Sequence, residues 1–136
     1  MYRAIDWALL VLRLGGAWLL LQVHGLPKLV HFSRELQVIE DPFGLGAGLT
    51  LCLAIAAEVL CPLLIGLGVF TRLACLPILV LLLVSLLVVH PQWSLGEGQF
   101  GWLLLIIFTT LAISGAGAIA AGRWFAATGA RAIWLR

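Results

Sequence analysis

The sequence predicts an all-α membrane protein: four transmembrane helices in an antiparallel bundle, with a short amphipathic interfacial helix between the first two. Three observations point there. Of the 136 residues, 63% are hydrophobic and only 10% charged, against about 25% charged in a typical soluble domain. Four stretches are each near the ~20 apolar residues that a spanning helix needs. Runs such as "LPILVLLLVSLLVV" do not alternate apolar with polar residues, as the strands of a transmembrane barrel do. A formal charge of +2 with no basic cluster gives no reason to expect a nucleic-acid partner. The partner expected first is the lipid bilayer.

The first helix is expected over about 5–26. Arg13 breaks its apolar centre and no small-x-small cleavage site follows before Pro27, so it reads as a retained helix and not a signal peptide. Gly25 and Pro27 close it. In "KLVHFSRELQVIEDPFG" the residues Leu29, Phe32, Leu36 and Ile39 recur at helical spacing, which predicts the interfacial helix over about 29–40. The second span is expected over about 45–70, opened by the small residues of "GLGAG". A tight turn around Thr71 and Arg72 forces an antiparallel hairpin with a third span over about 73–90. Pro77 lies about a turn into that span, and Pro91 ends it. The loop "PQWSLGEGQ" leads to a fourth span over about 100–121. Its end, "SGAGAIAAG", reads either as helix packed closely on a neighbour or as frayed backbone. The arginine-and-aromatic tail "RWFAATGARAIWLR" is expected along the headgroups. No linker, repeat or second domain interrupts residues 1–136.

Arginine and lysine placement sets the expected orientation. With the amino terminus inside, the inner side carries Arg3, Arg72, Arg123, Arg131 and Arg136. The outer side carries Lys28 and Arg34, diluted by Glu35, Glu40, Asp41 and Glu97. Both termini are therefore expected in the cytoplasm. Cys52, Cys61 and Cys75 lie in apolar segments without a C-x-x-C pair and read as free structural thiols.

The informative residues are the polar ones inside the apolar runs. A charged side chain at the bilayer centre costs about 2.5–3.5 kcal/mol on insertion scales, so it must face protein or water. Asp6, Arg13, Ala17, His24 and Lys28 fall near multiples of 3.6 and form one stripe, expected to face the bundle interior. Glu58 stands alone in the second span, about 18 Å from its inner end at 1.5 Å per residue. On the same scale Arg13 lies about 9 Å deep and His24 about 26 Å, which makes either a candidate partner for the acid. Pro62 removes the hydrogen bond to the Glu58 carbonyl, so an acid and a freed acceptor share one level. The spacing of His24, His31 and His90 does not match a metal site, and none is expected. No Ser-His-Asp set, phosphate loop or haem motif is present, so no self-contained catalytic constellation is expected.

Three segments carry a family resemblance. "RLGGAWLLLQVHGLPKL", "EVLCPLLIGLGVFTRLA" and "VVHPQW" followed by "GEGQF" resemble the successive signatures of the DoxX family of small bacterial four-helix membrane proteins. By that likeness the ligand-binding or intramembrane polar positions are Arg13, His24, Lys28, Glu58, Arg72 and His90. The resemblance implies a bacterial inner-membrane protein tied to redox chemistry, with no intrinsic cofactor and a quinone or lipid as ligand. Its partners would be a redox protein or further copies of the chain. The final "GAGAIAAGRWF" departs from the family's usual Gly-Pro-Gly ending. Three readings follow: a quinone- or lipid-binding accessory subunit, a structural or assembly module, and an oligomeric small-molecule transporter.

Overall fold

A computed structural model describes residues 1–127. Among them every regular element is helical: α1 (Ala4–Val30), α2 (Phe32–Val38), α3 (Ala47–Leu67), α4 (Thr71–Val89), α5 (Gln99–Ser114) and α6 (Gly122–Ala127). Three of these, α1, α3 and α4, are long and apolar enough to cross a membrane. α5, with 16 residues, measures about 24 Å at 1.5 Å per residue, short of the ~30 Å hydrocarbon core. Most of the tail expected along the headgroups, including Arg131, Trp134 and Arg136, lies outside the described residues.

The four long helices close into a ring. α1 packs on α3 and α5, and α4 packs on α5 and on the second half of α3. Leu20, Ile65, Ile78, Phe108 and Leu111 are fully buried at its centre. Val11, Trp18, Leu60, Val80, Ile106 and Ile113 stand on the outside. Apolar side chains exposed all round the bundle suit hydrocarbon and not water.

Several boundaries differ from the expected ones. α1 does not stop at Leu26 but continues to Val30, and the chain bends at His31, where φ is −108° and ψ 39°. The reason lies in the turn before Pro27. Residues Leu21–Gly25 form a π-helical turn, and the Leu26 N–H reaches back to the Leu21 carbonyl. This wider turn absorbs the donor that proline lacks. The same device precedes Pro62, at Ala56–Leu60, and Pro91, at Ser85–Val89. The interfacial helix is correspondingly shorter, Phe32–Val38 instead of about 29–40. Pro77 sits in the helix interior, near the middle of Thr71–Val84.

The α3–α4 turn falls at Gly68–Phe70, so Thr71 and Arg72 open α4. Gly68 is left-handed, with φ 75°; its N–H donates to the Ile65 carbonyl while the Val69 N–H reaches that of Leu64. This is the glycine-terminated helix end in which the last carbonyls find donors. Asp41 organises the other end of α3. Its carboxylate accepts from the N–H groups of Leu45 at 2.9 Å and Gly46 at 2.7 Å, and from the Thr50 hydroxyl at 3.0 Å. The Gly46 N–H, aided by Leu45 and Thr50, holds the Asp41 carboxyl below the usual carboxylate range.

α5 ends at Ser114, not near Ala121, because Gly115 takes φ 79°. Of the two readings of "SGAGAIAAG", the non-helical one describes the backbone, yet this segment is not loose. Arg13 donates from Nη1 to the Ala116 carbonyl at 2.6 Å and from Nη2 to that of Ile119 at 2.7 Å. It also donates from Nε to the Gly66 carbonyl at 3.3 Å. Asp6 Oδ1 accepts the Ala118 N–H at 2.9 Å. One acid and one base from the inward stripe of α1 thus tie down a stretch of backbone that has no helix to satisfy it.

Candidate ligand site

The site begins with backbone. Pro62 leaves the Glu58 carbonyl without its i+4 donor. That oxygen lies against Gly25: a Cβ built there would stand 2.1 Å from the Glu58 carbonyl oxygen and 2.8 Å from its carbon. Only a glycine permits α1 and α3 to approach so closely, and the contact places Gly25 level with Glu58. Lys28, three residues on, then sits about 4.5 Å further along α1. Its Nζ lies 2.7 Å from Glu58 Oε2.

Glu58 is 3% exposed. At that distance the ammonium and the carboxylate form a close ion pair, with the Glu58 side chain almost wholly shielded. His24, in the π turn of α1, is half-buried and its ring lies 5.5 Å from that of Phe100. The two π turns Leu21–Gly25 and Ala56–Leu60 face each other here, and such turns frequently mark functional positions.

These groups border a cleft of about 930 Å³, large enough for a small molecule. It exists because α3 packs on α4 mainly through its second half, while Ala47–Ile55 leans toward α2 and the end of α1. Lys28 and Glu58 lie midway along it. Toward the start of α4 the wall is apolar: Leu73, Leu76, Pro77 and Val80. Toward the other end it carries Glu35, Glu40, His90 and Glu97. There His90 Nε2 approaches Glu40 Oε2 at 3.6 Å, and the imidazole stacks on Trp93 at 3.8 Å with 2° between the planes. Hydrogen bonds from the Ser94 N–H and hydroxyl hold the Glu97 carboxyl below its ordinary value.

The six polar positions read from the sequence therefore divide. His24, Lys28, Glu58 and His90 share the cleft. Arg13 does not meet Glu58; it lies twelve residues before Gly25, about 18 Å away along the helix, with its guanidinium on carbonyls. Arg72 is exposed at the same end of the bundle, 3.5 Å from the Ser114 carbonyl, a long hydrogen bond. Glu40, Trp93 and Phe100 were not singled out, although all three border the cleft. Trp93 and Phe100 were within the family-like segments, but nothing in helical periodicity distinguishes a loop aromatic that meets a cavity from one that meets lipid. No group of three or more His, Cys, Asp or Glu able to hold a metal occurs among the described residues.

No curated protein and no solved structure matches the chain. A family model, DoxX, matches residues 8–91, more than half of the chain. That stretch runs from the first turns of α1 past the end of α4 and holds Arg13, His24, Lys28, Glu58, Arg72 and His90. On this match, the protein belongs to the DoxX family.

Proposed function

We propose that the cleft binds one amphiphilic molecule, a quinone or lipid, and that the chain serves as an accessory subunit of a membrane redox system. The observation that carries the reading is the buried Lys28–Glu58 pair halfway along an otherwise largely apolar cleft. Such sites hold a ligand by apolar walls and orient it by a few polar groups. A quinone fits that division. A ring carbonyl can accept from the Lys28 ammonium, and its chain suits Leu73, Leu76 and Val80. In this reading electrons come from a partner protein, as the DoxX resemblance implies. The membrane is a bacterial inner membrane with both termini cytoplasmic; Arg3, Arg72 and Arg123 gathered near one end of the bundle support that orientation.

Trp93 borders the cleft and serves as a reporter. Titrating a short-chain ubiquinone into the purified protein is expected to quench tryptophan fluorescence saturably. Trp93→Phe should remove most of the saturable part, and Glu58→Gln should weaken the apparent affinity. Unsaturable quenching of the same size in all three proteins would count against the site.

A second reading rests on the same ion pair, which joins α1 to α3: the pair is a structural lock. It predicts coupling in a double-mutant cycle of Lys28→Met and Glu58→Leu, on the order of 1–3 kcal/mol in stability, because either change alone strands a buried charge. Coupling without quinone binding would favour the lock alone. No coupling in unfolding measurements would remove it.

A further inference from the structure

The outward face of α1 carries a pattern of its own. Ala4, Ala8, Val11, Gly15, Trp18 and Gln22 recur at alternating spacings of four and three, and all six are exposed. That is the 3.5-residue period of a helix–helix seam. α1 meets α3 and α5 through its other sides, where Arg13, Gly16, Ala17 and Leu20 are buried. The seam ends at Gln22, because the π turn Leu21–Gly25 then shifts the register. Ala4, Ala8 and Gly15 are small, and no atom lies within 4 Å of a Cβ built on Gly15.

The apolar members of the seam suit lipid as well as protein. Gln22 does not. Gly25 is level with Glu58, nine residues before the Leu67 end of α3. Gln22 lies three residues from Gly25 toward that same end, so it sits about 9 Å inside the span of α3 at 1.5 Å per residue. Its amide makes no hydrogen bond among the described residues. The exposed hydroxyls of α5 bond back to their own helix: Thr110 to the Ile106 carbonyl at 2.8 Å and Ser114 to that of Thr110 at 2.8 Å. Thr109 has the same recourse. A glutamine brings two N–H donors and a carbonyl acceptor, and the middle of a helix offers that acceptor no free N–H. In hydrocarbon such a group needs a partner from another helix.

We propose that a second copy of this chain supplies it, through a parallel α1–α1 contact about a two-fold axis along the membrane normal. Copies inserted in the same sense bring the same residue to the same level, so Gln22 meets Gln22. An amide is self-complementary, donating to its twin and accepting from it. A lysine or glutamate there would meet its like charge. One polar residue at a seam position fixes register and partner number in this way in coiled coils. None of the six seam residues lines the cleft, so the contact does not depend on what the cleft binds.

The test measures self-association of the detergent-solubilised chain by sedimentation equilibrium over a range of protein-to-detergent ratios. The wild type is expected to reach a dimer. Gln22→Leu should weaken that dimer about tenfold, the worth of two hydrogen bonds between membrane helices, with helix content unchanged by circular dichroism. Gln22→Asn keeps the amide and should recover much of the loss. Cysteine cross-linking in vesicles locates the contact. On a Cys52→Ala background, Val11→Cys and Trp18→Cys should oxidise to a covalent dimer, and Ile106→Cys on the outside of α5 should not. A monomer at every ratio, a dimer equally strong in Gln22→Leu, or cross-linking through Ile106→Cys in place of the seam overturns the proposal.

Discussion

Gly25→Ala is expected to destabilise the bundle by about 3 kcal/mol or more, at the upper end of what overpacking costs. The added Cβ would lie 2.1 Å from the Glu58 carbonyl oxygen and 3.0 Å from Val59 Cγ2. A flexible side chain could turn aside from such a contact. A carbonyl in the middle of α3 cannot, so one helix must shift as a whole. That shift separates Lys28 from Glu58, and ligand binding should fall with stability. Gly15→Ala is the control on the same helix. No atom lies within 4 Å of its built Cβ, so it should be neutral or gain up to about 1 kcal/mol of helix propensity. Thermal unfolding in one detergent compares them directly; matching midpoints for the two variants would mean that the Gly25 contact is absent.

Arg13→Met should cost about 3–5 kcal/mol, because three backbone carbonyls lose a charged donor at about 1–3 kcal/mol each. The methionine keeps much of the packing but abandons the carbonyls of Gly66, Ala116 and Ile119. Each is a backbone acceptor with 1–3 kcal/mol at stake when buried and unpaired. Arg13→Lys keeps the charge, yet one ammonium cannot span carbonyls from two chain segments as the planar guanidinium does; it should recover only part of the loss. Hydrogen exchange supplies the local readout. Amides of residues 115–121 should exchange faster in Arg13→Met, while those around Glu58 stay protected. The stability effects of Arg13→Met and Glu58→Leu should add without coupling, since the two sites lie about 18 Å apart along α1. Rescue of one by the other would restore the Arg13–Glu58 pairing that helix depths suggested.

The class of the fold was legible because the solvent is written into the composition. A chain with 63% hydrophobic residues in long unbroken runs has helices as its main way to satisfy its backbone in lipid. The inward stripe of α1 was legible too, since a residue's helical face follows from its number alone. Asp6, Arg13 and Ala17 are buried, and His24 and Lys28 partly so. The boundaries at Pro27 and Ser114 differ from the expected ones for separate reasons, a π turn in α1 and the positive φ of Gly115. Helical counting has no term for a π turn that carries a helix past a proline, nor for an arginine that supplies the donors a broken helix end needs.

What periodicity determined by itself is which side of each helix its polar residues occupy, and that Glu58 required a buried partner. Which base answers it was decided only by the tertiary structure. Sequence sets positions within a helix but not the slide of one helix along another. That slide is set where Gly25 meets the Glu58 carbonyl, and it brings Lys28 to the acid while sending Arg13 to the segment after α5. The cleft has the same origin, because the angle at which α3 leaves α4 belongs to the packing of the whole ring.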